Sequence, residues 1–248
     1  MRRFFSPQEL KVGKSAVISG SDAMHISKVL RLKSDDVIAV FDGRGHAFAC
    51  RIRSVSPDAV SVMVEKAHAS KRESHIQITF AQAMLKSKKM DTLIRQATEL
   101  GISRWVPFFS ERSVPTPDQK RLTARVARWN KISREALKQC GRDNFMEVLP
   151  PVSMEEVMTQ GESCDRKIIF WECESGSAVA SRPGFEDQIR SLMVVVGPEG
   201  GFSAREVDLA TSLGFVTMSL GPRILKAETA AVAAAVLMQY CFGDMGGS

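Results

Sequence analysis

Two glycine-bearing segments near the C-terminus are Gly197-Pro198-Glu199-Gly200-Gly201-Phe202-Ser203 and Leu220-Gly221-Pro222-Arg223-Ile224-Leu225-Lys226-Ala227-Glu228-Thr229-Ala230. Each follows an apolar, strand-like run and precedes helix-like sequence, the position at which open α/β sheets hold their ligands. Glycine lets main-chain N–H and C=O groups approach a ligand closely, while Glu199, Glu228 and Arg223 add two ionisable carboxylates and one permanent cation. The first segment has neither the Lys-Ser/Thr ending of a P-loop nor the GxGxxG spacing of a dinucleotide fold, which disfavours phosphate cradling. Glycines also end strands for reasons of backbone geometry, so the first segment alone leaves a ligand site and a plain turn open. The second segment adds the mostly small side chains of residues 227–235, which let a last helix pack close to neighbouring backbone. That suits tight core packing or passage of chain through a loop.

Strand-like runs at 76–80, 105–109, 167–171, 192–196 and 215–219 alternate with helical sequence, which predicts a parallel sheet with helices on both faces. Met90, Leu93, Ile94, Ala97 and Leu100 recur at helical spacing, with Gly101 as the stop. A longer helix is expected over 120–140, with Leu122, Val126, Trp129, Ile132, Ala136 and Leu137 as its apolar stripe. The first 70 residues read differently. Residues 37–41 lead into the hairpin signal Asp42-Gly43, Phe48, Cys50 and Ile52 alternate with charged neighbours, and Val60, Val62 and Val64 repeat the period of two. Several short strands in so few residues favour a small barrel over an open sheet, because closure removes edges. One helical piece is expected over 22–32. The polar stretch around 69–74 reads as a linker, dividing the chain into 1–70 and 74–248.

The chain has 248 residues, of which 44% are hydrophobic and 25% charged, as in ordinary globular domains. Lys and Arg outnumber Asp and Glu by 34 to 28, an excess that suits a polyanionic partner. Lys120, Arg121, Arg125, Arg128, Lys131, Arg134, Lys138 and Arg142 stand against Glu135 alone in the second long helix and just beyond it. Such a stripe is either a solvated face or a track for phosphates, with Gln139 and Asn144 able to add hydrogen bonds. Arg2-Arg3, Lys28/Arg31/Lys33 and Lys86/Lys88/Lys89 are further basic clusters. With one Tyr and no RNP-like aromatic pattern, a base-stacking sheet is not expected. Five scattered cysteines without a CxxC pair, and four histidines without ligand spacing, predict free thiols in a reducing cytoplasm and no metal. No signal-like stretch opens the chain, and its longest apolar run, 230–238, falls well short of a bilayer, so a soluble intracellular protein is expected.

An ordered set of residues resembles the SPOUT superfamily of knotted methyltransferases, and within it the bacterial small-subunit (16S) ribosomal RNA (uracil-N3) methyltransferases. It comprises Met1-Arg2-Arg3-Phe4-Phe5, His25 through Val29-Leu30-Arg31, Lys88-Lys89-Met90-Asp91 leading to Glu99-Leu100-Gly101, Ser110-Glu111-Arg112-Ser113, Arg128-Trp129 to Gln139 and Arg142, and both glycine segments. The resemblance spans essentially the whole chain. It implies an α/β protein with an N-terminal PUA-like β-barrel that helps hold RNA, followed by a SPOUT domain whose C-terminal segment forms a trefoil knot. It further implies S-adenosylmethionine as cofactor, small-subunit ribosomal RNA or the assembled small subunit as partner, and a homodimer. Other superfamily members modify a different base or ribose, and a non-catalytic RNA-binding or ribosome-assembly protein could keep the fold; intact glycine loops and Arg223 favour an enzyme.

Carried onto this chain, the resemblance assigns cofactor contacts to Gly197, Pro198, Glu199, Gly200 and Gly201, to Ser219, Leu220, Gly221, Ile224, Leu225 and Lys226, and to Thr229, with Phe170 and Trp171 flanking the adenosine. The family commonly has Arg where this chain has Lys226, which keeps the charge and loses a bidentate contact. Attack of uridine N3 on a sulfonium methyl needs a cation for the charge developing on the ring, a role expected of Arg223. Glu199 and Glu228 are the candidate bases; each could instead be structural, Glu199 within its loop and Glu228 at the start of the last helix. Arg2, Arg3, Arg31, Lys86, Lys88, Arg128, Arg134, Gln139 and Arg142 are the expected RNA contacts.

Overall fold

The computed structural model describes residues 2–69, 72–113, 119–173 and 188–246. Its contacts divide the chain into two compact units, Met1–Glu73 with Leu137–Phe145, and Ser74–Ala136 with Met146–Ser248. The first unit contains β1 (Arg3–Phe5), β2 (Ser15–Ser19), α1 (Ser21–Met24), β3 (Val37–Phe41), β4 (His46–Val55) and β5 (Ala59–Ala69). The sheet order is β1-β3-β4-β5-β2, with β1 parallel to β3 and every other pairing antiparallel. Asp42 makes the β3–β4 turn work by accepting from the main-chain N–H of Arg44 (2.7 Å) and His46 (3.2 Å). Ile18, Ile38, Phe48, Cys50, Ile52, Val60, Val62 and Val64 bury their side chains together, as the period of two requires.

The ladder does not close as a barrel does: its path ends on β1 and β2, which do not pair among the described residues. Side chains occupy those edges instead. Phe5 N donates to Asp22 Oδ2 of α1 (3.3 Å), and Val17 N donates to Gln8 Oε1 (3.2 Å). The helix expected over 22–32 is also shorter, because α1 passes into a single π-helical turn, His25–Val29, and Arg31 then takes a left-handed φ of 49°.

Segment 137–145 completes this unit. Leu137 packs with Phe41 and Ala47, and the Phe145 ring lies 4.8 Å from that of Phe5. Arg142 donates to Glu73 Oε2 from Nε (3.1 Å) and Nη2 (3.0 Å), while Glu73 Oε1 accepts from the N–H groups of Asp143 (2.7 Å) and Asn144 (2.9 Å). Arg3 pairs with Asp143, and Lys138 with Asp22 (2.8 Å).

The second unit runs β6 (Gln77–Ala83), α2 (Ser87–Glu99), β7 (Arg104–Phe109), α3 (Gln119–Cys140, whose last residues belong to the first unit), β8 (Glu147–Val148), β9 (Val152–Ser153), α4 (Met154–Gln160), β10 (Arg166–Phe170), β11 (Ser191–Val196), α5 (Ala204–Ser212), β12 (Val216–Met218) and α6 (Ala227–Phe242). Every pairing is parallel, in the order β12-β10-β11-β6-β7-β8, with β9 also on β7. One face carries Ile78, Phe80, Ile168 and Val194 against α2, α3 and α6; the other carries Ala81, Val106, Ile169 and Val195 against α4 and α5. Alternate residues of one strand thus enter different cores, which is why these strands read as unbroken apolar runs. Gly101, at φ 81°, stops α2 where a Cβ would stand 2.5 Å from Gln239 Nε2. The buried Gln239 of α6 donates to Leu100 O (2.9 Å) and accepts from Ser74 Oγ (3.0 Å), which ties the last helix to the second.

Candidate functional site

β12, β10 and β11 are neighbours in the sheet and point the same way, so the segments that leave their carboxyl ends converge. Between them lies a cleft open to solvent. Phe170 and Trp171 line it from β10; Gly197, Pro198, Glu199 and Gly201 from the β11–α5 loop; Ser219, Leu220, Gly221, Arg223, Ile224 and Leu225 from the β12–α6 loop. The structure therefore brings together most of the expected cofactor residues and Arg223. Gly200, Lys226, Thr229 and Glu228 are not in the lining.

The β11–α5 loop is held from several sides. Gln82, fully buried at the end of β6, donates from Nε2 to Gly197 O (3.0 Å) and Ala83 O (3.1 Å), while its Oε1 has no hydrogen-bond partner among the described residues. Arg112 donates to Gly200 O (3.1 Å). Ser203 and Glu206 form a capping box at the start of α5, and the same pair meets the segment after β7: Ser203 Oγ donates to Glu111 Oε2 (2.7 Å), and Glu206 Oε1 accepts from Glu111 N (2.9 Å). Gly201 turns at φ 67°, with the Glu172 carboxylate against its α-carbon, where a Cβ would lie 2.2 Å from Glu172 Oε1. This main chain is fixed before any ligand arrives.

Charge at the mouth is paired. Lys89 Nζ lies 3.1 Å from Glu199 Oε1 and 3.0 Å from Glu228 Oε2. A hydrogen bond from its own main chain, and then the Lys89 ammonium, hold Glu228 below the usual carboxylate range. Hydrogen bonds to Glu228 and then Glu199 hold Lys89 above the ordinary lysine value. Among the described residues, no group of three or more His, Cys, Asp or Glu is placed to hold a metal ion.

The expected RNA contacts scatter over both units. Arg2 and Arg31 are exposed in the first; Lys86, Lys88, Arg128 and Arg134 are exposed in the second, and Gln139 is exposed near the end of α3. Arg128 also pairs with Asp91 (2.6 Å). Arg142 and Arg3 differ: the Arg142 side chain is 5% exposed and bound to Glu73, and Arg3 is bound to Asp143, so both are framework residues of the first unit rather than open contacts for phosphate.

A model of the RNA methyltransferase domain matches residues 72–239, and one of the RNA methyltransferase PUA domain matches 18–65. Ribosomal RNA small subunit methyltransferase E of Bacillus subtilis (strain 168) is 32% identical over 97% of this chain and 96% of its own. The chain belongs to the ribosomal RNA small subunit methyltransferase E family. The relative of that name from Buchnera aphidicola (Acyrthosiphon pisum symbiont) is 27% identical over 98% of this chain and 94% of its own. A crystal structure of the methyltransferase E of Neisseria gonorrhoeae, bound to S-adenosylmethionine, superposes with a TM-score of 0.89 at 30% identity, covering 98% of this chain and 99% of that one. No helix among the described residues is long and apolar enough to cross a membrane.

Within this chain, sequence reasoning passed over Glu172, Phe202, Ala227 and Ala230, which line the cleft, and Gln82, Lys89 and Arg112, which brace it. Gln82 had a signal, being the one polar side chain in the apolar run Ile78-Thr79-Phe80-Ala81-Gln82-Ala83-Met84-Leu85 that lacks a β-branched carbon. Lys89 was hidden among neighbouring lysines.

Proposed function

We propose that this chain transfers a methyl group from S-adenosylmethionine to N3 of a uracil in small-subunit ribosomal RNA. The observation that carries the reading is the cleft formed by main-chain turns at three adjoining strand ends. Concave sites of this kind, mixing apolar side chains with a few polar groups, are where small molecules bind. The donor set suits the cofactor: Phe170, Trp171, Leu220 and Ile224 offer apolar surface for a purine, and Glu172 and Glu199 offer negative charge to its cationic sulfonium and ammonium. Bound there, S-adenosylmethionine supplies an electrophilic methyl group.

Main-chain groups of 197–201 and 219–226 hold the adenosine part. Arg223, in the cleft lining and permanently charged, stabilises negative charge on the uracil ring. Glu199 is the better proton acceptor of the two candidates, since it lines the cleft whereas Glu228 lies outside the lining and is engaged by its own main chain. Holding both reactants in line contributes the rest. Residues 1–70 act as a PUA-like RNA-holding domain and 74–248 as the SPOUT domain, with a trefoil knot in its C-terminal segment, a reading supported by the small side chains of α6. A homodimer is supported by α6, which carries no charged residue from Thr229 to Gly243 yet leaves Val236 39% and Tyr240 63% exposed. Arg128, Arg134, Gln139, Lys86, Lys88, Arg2 and Arg31 meet the RNA, naked or in the assembled subunit, in the cytoplasm.

The test is nucleoside mass spectrometry of ribosomal RNA from cells lacking the gene, with and without treatment by the purified protein and S-adenosylmethionine. N3-methyluridine is expected to disappear from the mutant and return on treatment. An unchanged level refutes the reading.

A further inference from the structure

At the mouth of the cleft one cation holds two carboxylates from distant parts of the chain. Lys89 lies in the first turn of α2, Glu199 in the β11–α5 loop and Glu228 in the first turn of α6. Its ammonium is 3.1 Å from Glu199 Oε1 and 3.0 Å from Glu228 Oε2, and the three side chains are 33%, 34% and 33% exposed. This differs from an ordinary surface ion pair, in which two flexible side chains gain little from meeting. Each partner rides on a fixed element: Glu199 sits in the loop held by Gln82, Arg112 and the Ser203 cap, and Glu228 follows directly on the buried Ala227.

Both carboxylates lie within hydrogen-bond reach of the one ammonium, so removing that cation leaves two like charges on fixed elements, each disfavouring the ionised form of the other. The other charges facing the cluster are Lys226, just before α6, Arg223 and Glu172 in the cleft lining, and Arg112 on the neighbouring carbonyl of Gly200. Among the described residues, Lys89 is the cation paired with both carboxylates.

We propose that Lys89 is a positioning residue for methyl transfer, holding Glu199 and Glu228 as a charged pair so that Glu199 meets the uracil ready to take its N3 proton. The inference rests on the function proposed above. In the step it prepares, the N3–H bond breaks, its electron pair stays on N3, and the proton passes to a carboxylate oxygen of Glu199.

The test follows the glutamate side-chain carboxyls of the full-length protein by carbon-13 NMR across pH, beside the pH dependence of methylation. In K89M one of the two carboxylates is expected to titrate about one pH unit or more higher than in the wild type, whereas K89R titrates as the wild type does. The acid limb of the rate profile moves to higher pH by the same amount, while the rate on its alkaline side stays put. K89M/E228Q, with one carboxylate neutralised, brings the remaining titration back. K89Q carries the same expectation as K89M should the latter fold poorly. Superimposed titrations, or an activity loss by one factor at every pH, overturn the inference. A wild-type protein that methylates no ribosomal RNA refutes the functional reading instead, so the two failures are told apart.

Discussion

Gln82→Met separates holding the fold together from holding the ligand loop in place. Methionine nearly conserves the volume of this fully buried side chain, so no sizeable cavity opens. The substitution removes two hydrogen bonds, to Gly197 O at 3.0 Å and Ala83 O at 3.1 Å, each worth about 1 kcal/mol net. It also removes an amide oxygen that is buried without a partner among the described residues, whose desolvation costs about 1–3 kcal/mol. The two effects oppose each other and leave global stability within about 1 kcal/mol of the wild type. The loop has no such compensation. Gly197 lines the cleft, and once its carbonyl is released the loop must be ordered by the ligand at a cost of about 1–2 kcal/mol, which weakens S-adenosylmethionine binding roughly 5- to 30-fold. Urea unfolding reads the first quantity and titration calorimetry the second. Cofactor affinity within twofold of the wild type, or a stability loss above about 3 kcal/mol, would refute the reasoning and return Gln82 to the core.

Arg223→Ala should keep cofactor affinity while lowering turnover by about 10²–10³, the range for loss of one charge-stabilising group, and single-turnover kinetics with an unchanged rate would remove it from the mechanism. Reversing charge at Arg128 and Arg134 should weaken RNA binding and flatten its salt dependence, read by filter binding across salt concentrations. Arg142→Ala should instead destabilise the first unit by about 3 kcal/mol, because Glu73 loses its cation and keeps the main-chain N–H groups of Asp143 and Asn144, and thermal unfolding tests this directly. Asp165 accepts from Arg190 N and Ser191 N at 2.8 and 2.9 Å, and these contacts hold its carboxyl below the usual range. With its folded value depressed, its stabilisation is present above the unfolded value near about pH 4 and is lost as pH falls through the folded one. The stability gap between wild type and Asp165→Asn, followed by urea unfolding against pH, should therefore be open at pH 7 and close in acid.

Much of the second unit was legible because its strands are buried on both faces. Leu192-Met193-Val194-Val195-Val196 contains no charge, and the glycines that follow it mark the strand end where the cleft opens. The first unit was legible where β4 and β5 alternate, and illegible at β1, since three residues carry no period and nothing in Arg3-Phe4-Phe5 announces a parallel partner. The open ladder had the same cause: one aspartate and one glutamine satisfy its edges, and side-chain bonds across a fold leave no trace in periodicity. Charge was the least legible feature. Lys89 and Arg142 sit in runs of equivalent-looking basic residues, yet the partner of Lys89 on α6 lies 139 residues away, and that of Arg142 lies 69 away. Composition counts such charges but does not pair them.

The return of 137–145 to the first unit has a consequence for the order in which the chain acquires structure. Arg3, Phe5 and Glu73 are made early during synthesis, but Asp143, Phe145 and Arg142 emerge only after a further stretch containing β6, α2, β7 and most of α3. At about 5–20 residues per second, the N-terminal sheet waits roughly 4–14 s for the segment that covers it. A fragment cut at the linker lacks its own last piece, and a chain in which 137–145 is joined by a short linker to 1–73 would be the more faithful way to make that unit alone.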